Sequence, residues 1–303
     1  MRIGALMDLE QPMAALVEQV QGFAEQNLAS AWATQIFGYD ALTALAAVGA
    51  QVPGIELGTG VVPVYSRLPQ VMAQQALTVQ AATGGRLALG IGMSHQVVVE
   101  GMWGLSYDHP ARYLREYLAA LLPMLAGEAV QAEGEVVTAR TVSPLAVAGT
   151  PAPAVLVAAL GPVLLGIAGR ATDGTVTWMT GIRTIGEHVA PTIGEAARAA
   201  GRPAPRVVVA LPVTVTGEPD RARERIDRAF AIYPTLPSYR AMLDREGAER
   251  PSDIALVGTD GEVAAAVAAL AGAGATDLVA SIVGDDEERA RTTALLSSLA
   301  SAG

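Results

Sequence analysis

The chain has 303 residues, 51% of them hydrophobic, a mean hydropathy of +0.36 and a formal net charge of −10. That is ample apolar material for a large core, while the acidic balance disfavours nucleic acid or an anionic membrane surface as partner. Cys and Lys are both absent, all 20 basic residues being Arg, which excludes thiolate nucleophiles, thiolate zinc sites, iron–sulfur clusters, disulfides and amine-based Schiff-base chemistry.

Taken in chain order, short apolar runs alternate with amphipathic, Ala-rich segments. Arg2–Asp8 reads as a strand and Met13–Gln26 as a helix opened by Pro12. Ala29–Phe37 is the second strand, and Asp40–Gly49 a helix with glycine at its C-terminal end. Strand Ile55–Val62 precedes helix Pro69–Ala82, and strand Arg86–Gly92 precedes helix Pro110–Ala126. The alternation pauses at Val130–Val142, where Gly134 between β-type residues reads as a small hairpin. It resumes with strand Ala154–Ala159, helix Val163–Ala171, strand Gly174–Trp178, helix Ile185–Ala200, strand Val207–Val215 and helix Pro219–Tyr233. A less regular stretch, Pro234–Asp253, follows. Helix Glu262–Ala273, strand Asp277–Val283 and helix Glu287–Ala300 complete the pattern.

Eight core strands, each followed by helical sequence, define an α/β protein with a parallel sheet. The expected architecture is a single-domain (β/α)8 TIM barrel over residues 1–303, with insertions after strands four and seven. An open doubly wound sheet reads similarly. No apolar run spans a membrane, since Gly161-Pro162 breaks the longest of them, and the opening MRIGALMD lacks a signal-peptide pattern. A cytoplasmic location is therefore expected.

Barrel active sites lie at the C-terminal ends of the strands. Trp32, Trp103 and Trp178 all fall at or just after such ends. Each is equally at home in a core, but three at one rim favour a pocket that stacks a planar ligand. Thr59 stands between Gly58 and Gly60 after the third strand, allowing close backbone approach to a ligand. Gly90-Ile91-Gly92-Met93-Ser94-His95 follows the fourth strand and frees backbone amides for an anion. His95 adds a group able to bind phosphate or donate a proton. Ala159-Leu160-Gly161-Pro162 leads directly into a helix, where barrels often hold phosphate. His109 reads as a capping-region residue, and His188, on an outer helix, is given no role. No spacing of His and carboxylates marks a metal centre.

Together LGTGVVPVYSRLP, GRLALGIGMSH, VAALGP and ATDGTVTW resemble the luciferase-like monooxygenase superfamily, in particular its deazaflavin-dependent branch common in actinobacteria. The resemblance runs over nearly the whole chain. It implies a barrel with insertions that binds coenzyme F-420, or alternatively FMN, at the C-terminal rim. It implies a non-proline cis peptide at Gly60–Val61 supporting the coenzyme ring, and phosphate contacts from Gly92, Met93, Ser94 and His95 and from Ala159, Leu160 and Gly161. Gln35 and Trp178 complete the expected coenzyme contacts. Some deazaflavin dehydrogenases carry Asp-His at the end of the second strand, whereas this chain has Gln35-Ile36; it has His95 where they have Glu. Those departures point away from alcohol oxidation and towards reduction of a small organic substrate by the reduced coenzyme, at an activated C=C or C=N bond. The alternatives are an FMN-dependent monooxygenase and a barrel that only binds a flavin. His95 is the expected catalytic residue. A protonated imidazole there would offset the coenzyme's negative charge as well as supply a proton. The resemblance further implies a homodimer, and the apolar, Ala-rich helices Pro69–Ala82 and Pro110–Ala126 supply a face for it.

Overall fold

The computed structural model describes residues 1–145, 147 and 149–301. Eight parallel strands close on themselves: β1 (Arg2–Leu6), β2 (Ser30–Ala33), β3 (Glu56–Thr59), β4 (Leu87–Gly92), β5 (Ala154–Ala158), β6 (Gly174–Trp178), β7 (Arg206–Val215) and β8 (Asp277–Ile282). Each pairs with its successor, and β8 pairs with β1 through Arg2↔Asp277 to Ala5↔Ala280. The expected barrel is thus the observed one. Around it lie α1 (Met13–Glu25), α2 (Ala41–Gly49), α3 (Pro69–Ala82), α4 (Pro110–Leu125), α5 (Pro162–Ala171), α6 (Ala190–Ala199), α7 (Pro219–Ala229), α8 (Pro237–Glu246), α9 (Asp260–Gly272) and α10 (Asp286–Ser301). Local chemistry sets several of their starts. The Asp40 carboxylate accepts from the Thr43 amide ahead of α2, Thr259 and Glu262 form a reciprocal capping box ahead of α9, and proline occupies the first turn of α3, α4, α5, α7 and α8.

The insertions follow strands four and seven as expected. After β4 come the short helix Gln96–Val99 and then, beyond α4, the antiparallel hairpin Gln131–Glu133/Thr138–Arg140. The region after α7 is more regular than its sequence indicates. Pro237 starts α8, because proline lacks the N–H that a first turn leaves unused, and Gly247, at φ 73°, ends it. A short strand, Leu256–Gly258, then extends the sheet beside Val213–Val215.

The barrel interior corrects one expectation. Trp32 does not line the rim: it is fully buried inside the barrel with Ala88, Leu156, Val176, Val208, Ala210 and Val279. Its indole N–H donates to Ser30 Oγ at 2.8 Å. Gly58, its neighbour across the β2–β3 register, makes the space, since a Cβ there would lie 2.3 Å from the indole ring. Trp103 is half-buried and packs against the outer core. Of the three, Trp103 and Trp178, both half-buried beyond strand ends, remain candidate ligand contacts.

At the N-terminal end, Arg206 reaches Asp277 at 2.6 Å and Glu56 at 2.9 Å, and Arg2 reaches the same two carboxylates. Burial opposes the Arg206 charge, but these hydrogen bonds more than offset it and hold its pKa above the ordinary value. A cavity of about 450 Å³ opens beside this network, lined in part by Arg2, Glu56, Gln80 and Arg86. The Arg86 guanidinium is committed to the carbonyls of Thr83, Ile55 and Gly49. Polar groups at this face therefore serve the fold, as is usual for the bottom of a barrel.

Candidate active site

The opposite rim starts with β3. Thr59 Oγ1 donates to the Gly90 carbonyl at 2.7 Å and accepts from the Gly90 amide at 2.8 Å, locking β3 to β4. The following Gly60–Val61 peptide is cis, at the bond the resemblance indicates. The chain then returns along β4, with Val62 and Pro63 beside Ile91 and Gly92, and the Val64 amide on the Gly92 carbonyl at 2.9 Å. Gly90 and Gly92 permit this approach. A Cβ on Gly90 would lie 2.0 Å from the Thr59 carbonyl oxygen, and one on Gly92 2.7 Å from Val61 Cγ2. The structure thus brings Gly60, Val61 and Gly92 into one backbone-lined wall.

Beyond β4, Met93 is buried, leaving only its backbone for a ligand. Ser94 adopts the left-handed conformation at φ 58°, and Tyr107 Oη donates to its carbonyl at 3.3 Å. Tyr65 stacks on Tyr113 at 4.3 Å behind this turn. His95 follows, half-buried, with its ring 5.5 Å from that of Tyr239. Burial holds its imidazole pKa below the ordinary 6.5. That burial works against the positive charge expected there.

After β5, Ala159 is buried and offers only backbone, and Gly161 precedes α5 with no side chain capping the helix. The Leu160 carbonyl accepts a 2.8 Å hydrogen bond from His188 Nε2. His188, expected on an outer face, is instead only 9% exposed. Its segment Ile185–Val189 forms a π-helical turn rather than the first turn of a long α-helix. Gln35 is also partly diverted: its side-chain oxygen accepts from the Ala41 amide at 2.8 Å and steadies the start of α2. Only its amide N–H groups remain for a coenzyme.

Trp178 ends β6. Its Nε1 is buried and makes no hydrogen bond of normal geometry, although it lies close enough to the Tyr233 hydroxyl to act on that phenol. Phe230 and Tyr233, from the insertion after β7, meet its ring edge-on at 5.2 and 5.7 Å. Tyr233 in turn meets Tyr239 at 4.9 Å, and Tyr239 meets His95. An aromatic chain therefore crosses from β6 to β4. Burial raises the pKa of both Tyr233 and Tyr239, so both stay as neutral phenols. Sequence reading missed these residues, although Phe230, Tyr233 and Tyr239 are a visible cluster in a chain with only seven Tyr and three Phe.

Exposed Ile36, Phe37, Val97 and Met102 occupy the connections that follow β2 and β4, and exposed Ile232 lies between α7 and α8. Among the described residues no group of His and carboxylates is placed to hold a metal, and no helix is long and apolar enough to cross a membrane. Among the described residues the rim offers backbone amides, aromatic faces, the Tyr65 hydroxyl and the Trp178 indole N–H without well-formed hydrogen bonds, and the His95 imidazole.

The luciferase-like monooxygenase family pattern matches residues 1–277. The chain belongs to that family. An uncharacterized relative from Mycobacterium tuberculosis is 29% identical over 206 residues, 64% of this chain and 61% of its own length. An F-420-dependent glucose-6-phosphate dehydrogenase of Rhodococcus erythropolis is 28% identical over 208 residues, 66% of this chain and likewise 61% of the relative. The chain thus matches less than two thirds of the length of these curated relatives. In structure, the coenzyme F-420-dependent tetrahydromethanopterin reductase from Methanopyrus kandleri superposes with a TM-score of 0.84 over 98% of this chain and 97% of that one, at 21% identity. That likeness is one of fold. In this luciferase-like barrel the glycine wall, the two loops after β4 and β5, and Trp178 all stand at the rim.

Proposed function

We propose that the protein is a cytoplasmic, single-domain oxidoreductase that uses reduced coenzyme F-420 to reduce an activated C=C or C=N bond in a small apolar substrate. The observation that carries this reading is the indole N–H of Trp178, buried at the rim without a hydrogen bond of normal geometry and with the Tyr233 hydroxyl as its polar neighbour. A buried donor so poorly satisfied gains from a better acceptor, and a deazaflavin ring edge offers carbonyl acceptors. The residues present fit such a group in two further respects. The half-buried Gly60–Val61 peptide presents backbone at the rim, and the turns at Met93–His95 and Leu160–Gly161 offer amides to a phosphate.

When bound, the reduced deazaflavin supplies a hydride and does not readily pass single electrons. Trp178 orients the ring, the aromatic insertion of Phe230, Tyr233 and Tyr239 limits water, and His95 delivers a proton to the substrate. Reduction is favoured over alcohol oxidation because Gln35 and Ile36 stand where an Asp-His pair would supply the base. The apolar rim residues and the absence of Lys favour an uncharged substrate over a sugar phosphate. Fluorescence titration of the purified protein distinguishes the coenzymes. F-420 is expected to bind and FMN not; tight FMN binding without F-420 binding would overturn the choice.

The same reading includes a homodimer. Leu68 and Val71, at the start of α3, are 64% and 42% exposed apolar side chains, and α3 packs alongside α4 to form one outer face. Light scattering is expected to give twice the 31.0 kDa chain mass. A monomer mass at every concentration would rule the dimer out.

A further inference from the structure

The β5–α5 connection is held from behind by a residue with no place in the chemistry above. His188 is buried on the π-helical turn Ile185–Val189 and donates through Nε2 to the Leu160 carbonyl at 2.8 Å. The acceptor is a carbonyl, so the proton sits on Nε2. The segment carrying His188 is itself fixed to α5. A Cβ on Gly169 of α5 would lie 2.5 Å from the Ile193 carbonyl oxygen and 2.8 Å from Ala196 Cβ, so α5 and α6 touch backbone to backbone. One end of α5 is thereby clamped against α6, and the His188–Leu160 hydrogen bond fastens the other.

This matters for an anion. Leu160 and Gly161 precede the first turn of α5, whose leading amides lack intrahelical acceptors and carry the positive end of the helix dipole. A peptide carbonyl in the same loop has the opposite polarity. If the Leu160 peptide were free to rotate, its oxygen could turn towards the ligand and cancel the attraction. We propose that His188 is a positioning residue. By occupying the Leu160 carbonyl it keeps that oxygen from the coenzyme phosphate and leaves the loop amides to bind it. The inference rests on the coenzyme reading above, which places the phosphate at this loop. π-Helical turns often occur at functional sites, where they redirect a side chain from the regular α ladder.

The test uses the whole protein, titrated by fluorescence with F-420 and with the matching deazariboflavin, which has the same ring and ribityl chain but no phosphate. His188→Phe keeps a ring of similar size and removes the donor; His188→Gln restores a donor able to reach the carbonyl. For F-420, His188→Phe is expected to raise Kd about tenfold, the loss of one hydrogen-bonded contact. Turnover at saturating coenzyme should stay within about twofold, and His188→Gln should recover most of the affinity. Deazariboflavin should bind wild type and His188→Phe alike. Equal F-420 affinity in wild type and His188→Phe overturns the inference, as does an equal loss for both ligands, which would mark a merely structural role. If His188→Phe does not fold, His188→Asn, too short to reach Leu160, is judged by the same F-420-to-deazariboflavin ratio. A wild type that binds FMN in place of F-420 overturns the coenzyme reading alone, and FMN against riboflavin then tests His188 in the same way. A wild type that binds neither coenzyme overturns both.

Discussion

Arg206→Ala is expected to lower the melting temperature by roughly 5–8 °C, from a loss of about 3–5 kcal/mol. The effect comes less from the lost attraction than from what remains. Asp277 has a side chain only 2% exposed, and Arg206 is its closest cationic partner at 2.6 Å; Arg2 stands farther off at 3.4 Å and is itself largely exposed. Removing Arg206 leaves a buried carboxylate held only by the Thr276 hydroxyl at 2.6 Å and the more distant Arg2, beneath the β7–β8 and β8–β1 seams that close the barrel. Replacing both charges by apolar groups removes that residual penalty, so an Arg206→Met, Asp277→Leu double variant should regain most of the lost stability. Circular dichroism melts of the single and double variants check this. An Arg206→Ala protein melting within about 2 °C of wild type would show that water or Arg2 already compensates Asp277.

His95→Gln should lower turnover by about 100-fold at the acidic end of the profile while leaving coenzyme affinity within about threefold. The sign of the pH dependence follows from burial. As the acid, His95 works in its protonated form, and its pKa lies below the ordinary 6.5. Turnover should therefore be greatest at low pH and fall about tenfold per unit once pH rises past that lowered pKa. The variant should lose this limb and run flat. Steady-state rates across pH, taken at saturating coenzyme, check both features. An unchanged profile in His95→Gln, or a loss confined to coenzyme affinity, would remove the proton-donor role.

Much of the rim was legible because its signals are local. The glycines at 58, 60, 90 and 92 stand in short runs that suit a close backbone approach, the Gly60–Val61 bond followed from the family resemblance, and Trp178 ends a strand in sequence and structure alike. The errors have two physical causes. The first is parity. Both faces of a strand in a barrel are apolar, one against the interior and one against the helices, so alternation does not tell which way Trp32 points. The register of β2 against Gly58 decides that. The second cause is distance along the chain. Tyr239 meets His95, and His188 meets Leu160, only after α6 and the insertion after β7 have docked.

The amino-acid sequence by itself determined the alternation of strand and helix, hence the parallel sheet, and with it the end of the molecule where chemistry belongs. It also determined what chemistry is impossible, since a chain without Cys or Lys has no thiolate and no side-chain amine. Only the tertiary structure decided which side chains are spent on the fold and which remain for a ligand. Gln35 and Trp178 show the difference. Both are polar-tipped residues at strand ends, yet the Gln35 oxygen is consumed by the Ala41 amide while the Trp178 N–H makes no hydrogen bond of normal geometry. Hydrogen-bond satisfaction depends on every group within about 3 Å, whatever its place in the chain, and that neighbourhood exists only once the barrel has closed.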